Sequence, residues 1–200
     1  MTEEEVANTD SQDSGQSFGG FVLEMVKLLL ISLLIVVPIR AYVVQPFYVD
    51  GASMEPNFHD GEYLIVDEIS YRFTEPVRGE IVIFHPPTNN RVFYIKRLIG
   101  LPGERVVIDD GEIKVYQEGE SEPFFVDETE YLSADYQLRE SESHDVTLAE
   151  SEYFLMGDNR RSSLDSRRLG PIPEKAIKGK VLLRAFPFDK FEIINSPTYK

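Results

Sequence analysis

The 200-residue chain contains no cysteine and only three histidines. Without cysteine it can form no disulfide, no zinc–thiolate site and no thiol nucleophile. Each histidine has an unpromising setting. His59 adjoins the turn Asp60-Gly61, His85 precedes Pro86-Pro87, and His144 lies in an acidic stretch. There is no Gly-x-Ser-x-Gly elbow and no His-Glu-x-x-His pair, so nothing marks a nucleophile–histidine triad or a helical zinc site. Basic charge is also scarce. Lys and Arg number 20 against 35 acids, a formal net charge of −15, which argues against a nucleic-acid binder. No long helical period occurs after residue 45, and residues 1–20 hold no Lys or Arg.

What charge there is lies unevenly. Residues 109–152 carry 15 acids against Lys114 and Arg139, a net of −13, and residues 1–20 add −5, which leaves +3 for the remainder. Residues 1–20 are polar and rich in Ser, Gly and Gln, with no apolar period, and read as a disordered acidic tail. Residues 21–44 are the opposite. The run from Leu28 to Val37 has no charge, and apolar character extends to Val44. Twenty-four helical residues reach about 36 Å, enough for a bilayer core of about 30 Å. Glu24 and Lys27 sit near one end, where they can pair or snorkel. A cleaved leader is the alternative. The missing basic leader, the length and the lack of a small-x-small site straight after the segment favour a retained anchor. Arg40 lies at the far end from a tail without basic residues, so charge does not indicate orientation.

From Gln45 the pattern becomes β. Residues 62–67, 80–84, 91–98, 104–108, 112–116, 153–156 and 180–186 are short runs rich in Val, Ile, Tyr and Phe. Asp60-Gly61, Pro102-Gly103 and Asp110-Gly111 punctuate them. The reading is a mainly antiparallel β-domain over 45–200 with an N-terminal transmembrane helix, and with residues 117–152 as an acidic surface excursion of the same domain.

Three stretches can carry chemistry. In Val49-Asp50-Gly51-Ala52-Ser53-Met54-Glu55-Pro56, the small Gly51 and Ala52 let another chain approach closely. In extended form, Phe47, Val49, Gly51 and Ser53 would share one face, an apolar strip leading to a hydroxyl. In Phe93-Tyr94-Ile95-Lys96-Arg97-Leu98, Lys96 sits among apolar neighbours. Burial disfavours an ammonium, and a lysine made neutral is a competent general base for a hydroxyl. The run from Met156 to Arg167, with Asp158, Asn159, Arg160, Arg161, Asp165 and Arg167, is a dense polar loop after an apolar strand.

Together and in this order, Gly-Ala-Ser-Met-Glu-Pro, Tyr-Ile-Lys-Arg-Leu-Ile-Gly-Leu-Pro-Gly-Glu and Met-Gly-Asp-Asn-Arg with Ser-x-Asp-Ser-Arg resemble the signature boxes of bacterial type I signal peptidases. The resemblance spans about residues 21–186 and includes the N-terminal anchor. It implies a β catalytic domain, with Ser53 as nucleophile, Lys96 as general base and Ser163 as the hydroxyl that holds the lysine amine. It also implies that Asp165 and Arg167 form a supporting ion pair and that Asp158 and Arg160 belong to the same box. Phe47, Val49, Phe58, Tyr94 and Ile95 match positions lining substrate subsites, with Gly51 on the substrate path. Some members carry a serine at the position of Gly51 that adds to the oxyanion hole; with glycine, the Ser53 N–H and other local donors serve, and Gly51→Ser is expected to be tolerated. The implied substrates are signal peptides of exported preproteins, cut after small-x-small sites. The implied location is the plasma membrane, in a single pass, with the N-terminus cytoplasmic and the β-domain outside. The pattern calls for no metal and no cofactor. Two rivals share parts of it: a self-cleaving Ser–Lys protease, and a membrane-tethered β-module that only binds a partner.

Overall fold

A computed structural model describes residues 18–42, 44–120, 122–197 and 199, with side chains placed outside 38–44. The expected tail lies almost wholly outside the described residues. The chain divides into two compact units, Met1–Ile39 and Arg40–Lys200.

The first unit is built on helix α1, Phe18–Tyr42, which starts three residues before the apolar segment read from the sequence. Its stretch Phe18–Val37 has a mean hydropathy of 2.5 and is long and apolar enough to cross a membrane. Leu, Val and Ile cover every face of it and stay exposed. A helix apolar all round suits a hydrocarbon surround.

Among the described residues the second unit is mainly β, with one short helix, Ser166–Leu169, and three single 3-10 turns. Its strands are β1 Val44–Tyr48, β2 Tyr63–Asp67, β3 Ile81–Phe84, β4 Tyr94–Gly100, β5 Arg105–Asp109, β6 Glu112–Tyr116, β7 Phe124–Phe125, β8 His144–Thr147, β9 Glu152–Met156, β10 Ile172–Pro173, β11 Ile177–Phe186 and β12 Glu192–Ile193. Eight form one sheet in the order β1-β2-β11-β3-β4-β9-β10, with β12 on β11, and four form a second in the order β7-β6-β5-β8. Every pairing is antiparallel. Pro46 sits in β1, an edge strand, where the missing N–H is tolerated. Asp110 and Gly111, with φ of 53° and 77°, close the β5–β6 hairpin as the two residues between Asp109 and Glu112, the left-handed pair that a two-residue turn requires.

Strands β2, β5 and β6 alternate buried and less buried residues, as half-covered sheets do, whereas β3 is buried at all four positions. One core joins the two sheets: Ile99, Phe154 and Met156 from the large sheet meet Val106, Ile108, Ile113 and Val115 from the small one. The acidic stretch 117–152 takes part in it. It supplies β7 and β8 and buries Val126, Leu138 and Leu148 in that core. Most of its acids face water, Glu128 being buried, while every few residues an apolar side chain anchors it, a spacing too sparse to register as a strand pattern.

Candidate active site

The turn after β1 is pinned from both sides. Val49 N–H donates to the Glu62 carbonyl at 2.9 Å, and Gly61 N–H returns to Val49 at 3.0 Å. Met54, 1% exposed, plugs the turn into a core with Phe58, Leu64 and Val66. Ser53 is thereby held in the lining of a cleft of about 200 Å³. Phe47, Val49, Ile83, Ile95 and Leu164 supply much of its apolar wall, and Ser53 and Lys96 belong to the same lining.

Lys96 comes from β4, paired opposite Val82 of β3. It is 3% exposed. Its Nζ lies 2.7 Å from Ser53 Oγ and donates to its neighbour's carbonyl, Ile95, at 2.7 Å. Burial lowers the ammonium's pKa from 10.5 to about 8, with Asp165 and Asp158 pulling it back up and Arg167 pushing it down. The charge that helps neutralise Lys96 is thus Arg167. Adjacent Arg97 is instead consumed by a fork on Asp158, Nε to Oδ1 at 2.8 Å and Nη2 to Oδ2 at 2.7 Å, with its guanidinium 3.9 Å from the centre of the Tyr131 ring.

Behind the Ser53–Lys96 pair, a continuous set of bonds leads from Asp165 to the Ser53 backbone. Asp165 accepts a fork from Arg167, Nε to Oδ1 at 2.9 Å and Nη2 to Oδ2 at 2.8 Å. Burial raises the Asp165 carboxyl, but Arg167, the Gly157 N–H and the Ser163 hydroxyl together outweigh it and hold the group below its usual range. Asp165 Oδ2 also accepts Gly157 N–H at 3.0 Å. Next along that loop, Asn159 N–H donates to the Ser53 carbonyl at 3.1 Å and its Nδ2 to the Ala52 carbonyl at 3.1 Å. Gly157 is where the loop passes closest. A Cβ there would stand 2.2 Å from Ser163 Oγ and 2.5 Å from the Ser53 carbonyl oxygen.

Such an arrangement, a buried amine of lowered pKa against a hydroxyl at the end of an apolar cleft, can deprotonate the hydroxyl and direct it at a carbonyl. The family model described as "Signal peptidase, peptidase S26" matches residues 22–186. The chain belongs to this family. Signal peptidase I of Bacillus licheniformis is 36% identical over 191 residues, covering 95% of this chain and 97% of that protein. Signal peptidase I T of Bacillus subtilis is 36% identical over 200 residues with the same coverage, and probable signal peptidase I-1 of Synechocystis is 33% identical over 189 residues, covering 90% of each.

Not every residue named from the signature boxes reaches the cleft. Phe47, Val49, Tyr94 and Ile95 line it. Phe58 is buried beneath, in the core with Val49 and Leu64, and Arg184 lies over its ring at 5.3 Å. Gly51 stays outside the lining, with φ of 92° and its N–H held by Asp60 Oδ1 at 2.8 Å. At that φ any side chain is strained despite open space, so Gly51→Ser carries a backbone cost that the expected tolerance left out. Ser163 Oγ is buried and makes no hydrogen bond to Lys96; it helps hold the Asp165 carboxyl low, and the Ile95 carbonyl takes the lysine's second bond. Asp158 and Arg160 lie in one box but serve different partners. Asp158 binds Arg97 and Asn57 Nδ2, the latter at 2.7 Å, while Arg160, 1% exposed, pairs with Glu128. His59, His85 and His144 are engaged elsewhere, beside Glu62, Val92 and Phe154 respectively.

Gly157, Asn159, Arg97 and Glu128 are site residues that the sequence reading did not assign. Gly157 and Asn159 stood inside a recognised box, and Arg97 adjoined the lysine. Glu128 gave no signal, because it is one acid among many.

Arg167→Ala leaves Asp165, fully buried, without its fork. Breaking a buried pair by removing one partner costs about 3–5 kcal/mol. The variant is expected to lose activity and melt at a lower temperature, as read by thermal unfolding beside a rate measurement. Lost activity with unchanged melting would contradict the supporting role.

Proposed function

We propose that the chain is a membrane-anchored serine endopeptidase that removes signal peptides from exported preproteins, with Ser53 as nucleophile and Lys96 as general base. The observation that carries this reading is the 2.7 Å approach of a buried, pKa-lowered lysine amine to the Ser53 hydroxyl at the end of an apolar cleft.

The chemistry follows from the groups present. Neutral Lys96 takes the Ser53 hydroxyl proton as Oγ attacks the scissile carbonyl. Among the described residues no backbone acceptor takes the Ser53 N–H, which leaves it to donate to the oxyanion, a contribution worth roughly 3 kcal/mol. The Lys96 ammonium then protonates the leaving amine as the C–N bond breaks, giving an ester on Ser53. Lys96 next deprotonates a water that attacks this ester and frees the serine. The substrate lies extended along the exposed edge of β1 as an added strand. A cleft of this size, walled by Phe47, Val49 and Leu164, takes small side chains one and three positions before the cut. Supporting this reading, α1 would anchor the enzyme in the plasma membrane, with the tail cytoplasmic and residues 45–200 outside.

A lysine acts as base only when neutral, so kcat should rise with pH along a limb centred near 8, the value to which burial brings Lys96, and stay high above it. Cleavage in trans of a preprotein carrying an Ala-x-Ala site, followed across pH 6–10, tests this. Cleavage elsewhere, or a limb near pH 6.5 as an ordinary histidine gives, would refute it.

A further inference from the structure

Leu164 lines the substrate cleft, but its neighbour Ser163 lines a different cavity, of about 360 Å³. The wall of this second cavity is cationic. Arg139, Arg160, Arg161, Arg167 and Arg168 contribute to it, against the single carboxylate of Glu142. Two of the arginines are already neutralised, Arg167 by Asp165 and Glu142 and Arg160 by Glu128. Arg139, Arg161 and Arg168 are exposed and form no salt bridge among the described residues. Arg161 reaches only the Ala134 carbonyl, at 3.4 Å.

In a chain of net charge −15, three unneutralised guanidinium groups around one concavity are a local reversal of sign, and a concave wall of one sign concentrates the opposite ion. A second observation is independent of exposed charge. Arg160 is fully buried, yet its Nε has no hydrogen-bond partner. Buried donors are nearly always satisfied, and this guanidinium, held by Glu128, adds its field to the cavity wall from beneath. Ser141, Ser143 and Ser163 add hydroxyls, and Ile108 is the one large apolar residue in the lining. Guanidinium forks beside hydroxyls match the oxygens of a tetrahedral oxyanion. We propose that this cavity binds a phosphate-class oxyanion, supplied by free phosphate or by the phosphodiester headgroup of an anionic lipid.

Calorimetric titration of the full chain in neutral detergent micelles tests the proposal, with ionic strength held constant by chloride. Inorganic phosphate is one arm and glycerophosphoglycerol, a soluble lipid headgroup, is the other. At least one should bind saturably, and the tighter of the two identifies the source. Arg139→Ala/Arg161→Ala/Arg168→Ala should weaken that binding at least tenfold. Arg72→Ala/Arg91→Ala/Lys175→Ala, exposed residues elsewhere with the same change of charge, should alter it less than twofold. If the first triple variant does not fold, Arg168→Ala alone carries the comparison and should weaken binding at least threefold. No saturable binding in either arm, equal losses in both triple variants, or binding of tetraglutamate in place of both probes would overturn the proposal.

Discussion

Lys96→Arg should fold, insert and bind substrate while its turnover falls by at least about a thousandfold, within the range that a positioned general base supplies. The substitution keeps a positive charge and similar reach, but a guanidinium is not deprotonated in a protein. A lysine that merely fills space or holds substrate would be replaced in part. Turnover within about tenfold of the native enzyme would remove Lys96 from the base role. The companion variant Lys96→Met separates catalysis from stability. The native site holds the lysine pKa near 8 against 10.5 for an unperturbed lysine. The unfolded chain therefore binds more protons between these values, so stability rises as pH rises from about 8 to 10.5, and the burial penalty is fully present below 8. The shift corresponds to roughly 3 kcal/mol at neutral pH. Lys96→Met should be inactive yet melt higher at pH 7, with the rise in stability above pH 8 gone.

Gly157→Ala is the second large effect. Its new Cβ would meet the Ser163 side chain and, at 2.5 Å, the carbonyl oxygen of Ser53. The Ser163 hydroxyl can rotate, but the Ser53 carbonyl is backbone and is already tied to Asn159 N–H. The Ser53 peptide must shift, and a misplacement near 1 Å at a reacting group costs on the order of a hundredfold. A fall in kcat of at least that size is expected, measured on the same preprotein. Adding Ser163→Gly removes only the side-chain half of the clash and should not restore the rate. Activity within threefold of native would show that the loop and the serine turn are less tightly apposed than described.

How much of this was legible in the chain depends on the range of the interactions. Strands β2, β3, β4, β5, β6, β9 and β11 announced themselves to within a few residues, because each alternates or runs apolar and most are bounded on one side by a Gly or Pro. Strands β7, β8, β10 and β12 did not. They are two to four residues long and are defined by partners rather than by their own pattern. Ser53 and Lys96 stood in recognisable boxes, but 43 positions apart, and no local rule places one 2.7 Å from the other. Partner choice was the least readable property. Asp158 has Arg160 two residues away, yet it takes Arg97 from another strand, and Arg160 takes Glu128 from the acidic stretch. Charge type is visible in sequence, whereas the register of β4 against β9, which brings Arg97 opposite Met156, is set by the packed sheet.

Cleavage of preproteins at small-x-small sites is proposed to depend on the Ser53 hydroxyl. The most direct measurement sets the full-length enzyme beside Ser53→Ala in detergent micelles at pH 9, with one preprotein, and sequences the N-terminus of the product. The native chain should release a single mature product beginning straight after the small-x-small site, and Ser53→Ala should release none above background. Release of the same product by Ser53→Ala at a comparable rate would contradict the account.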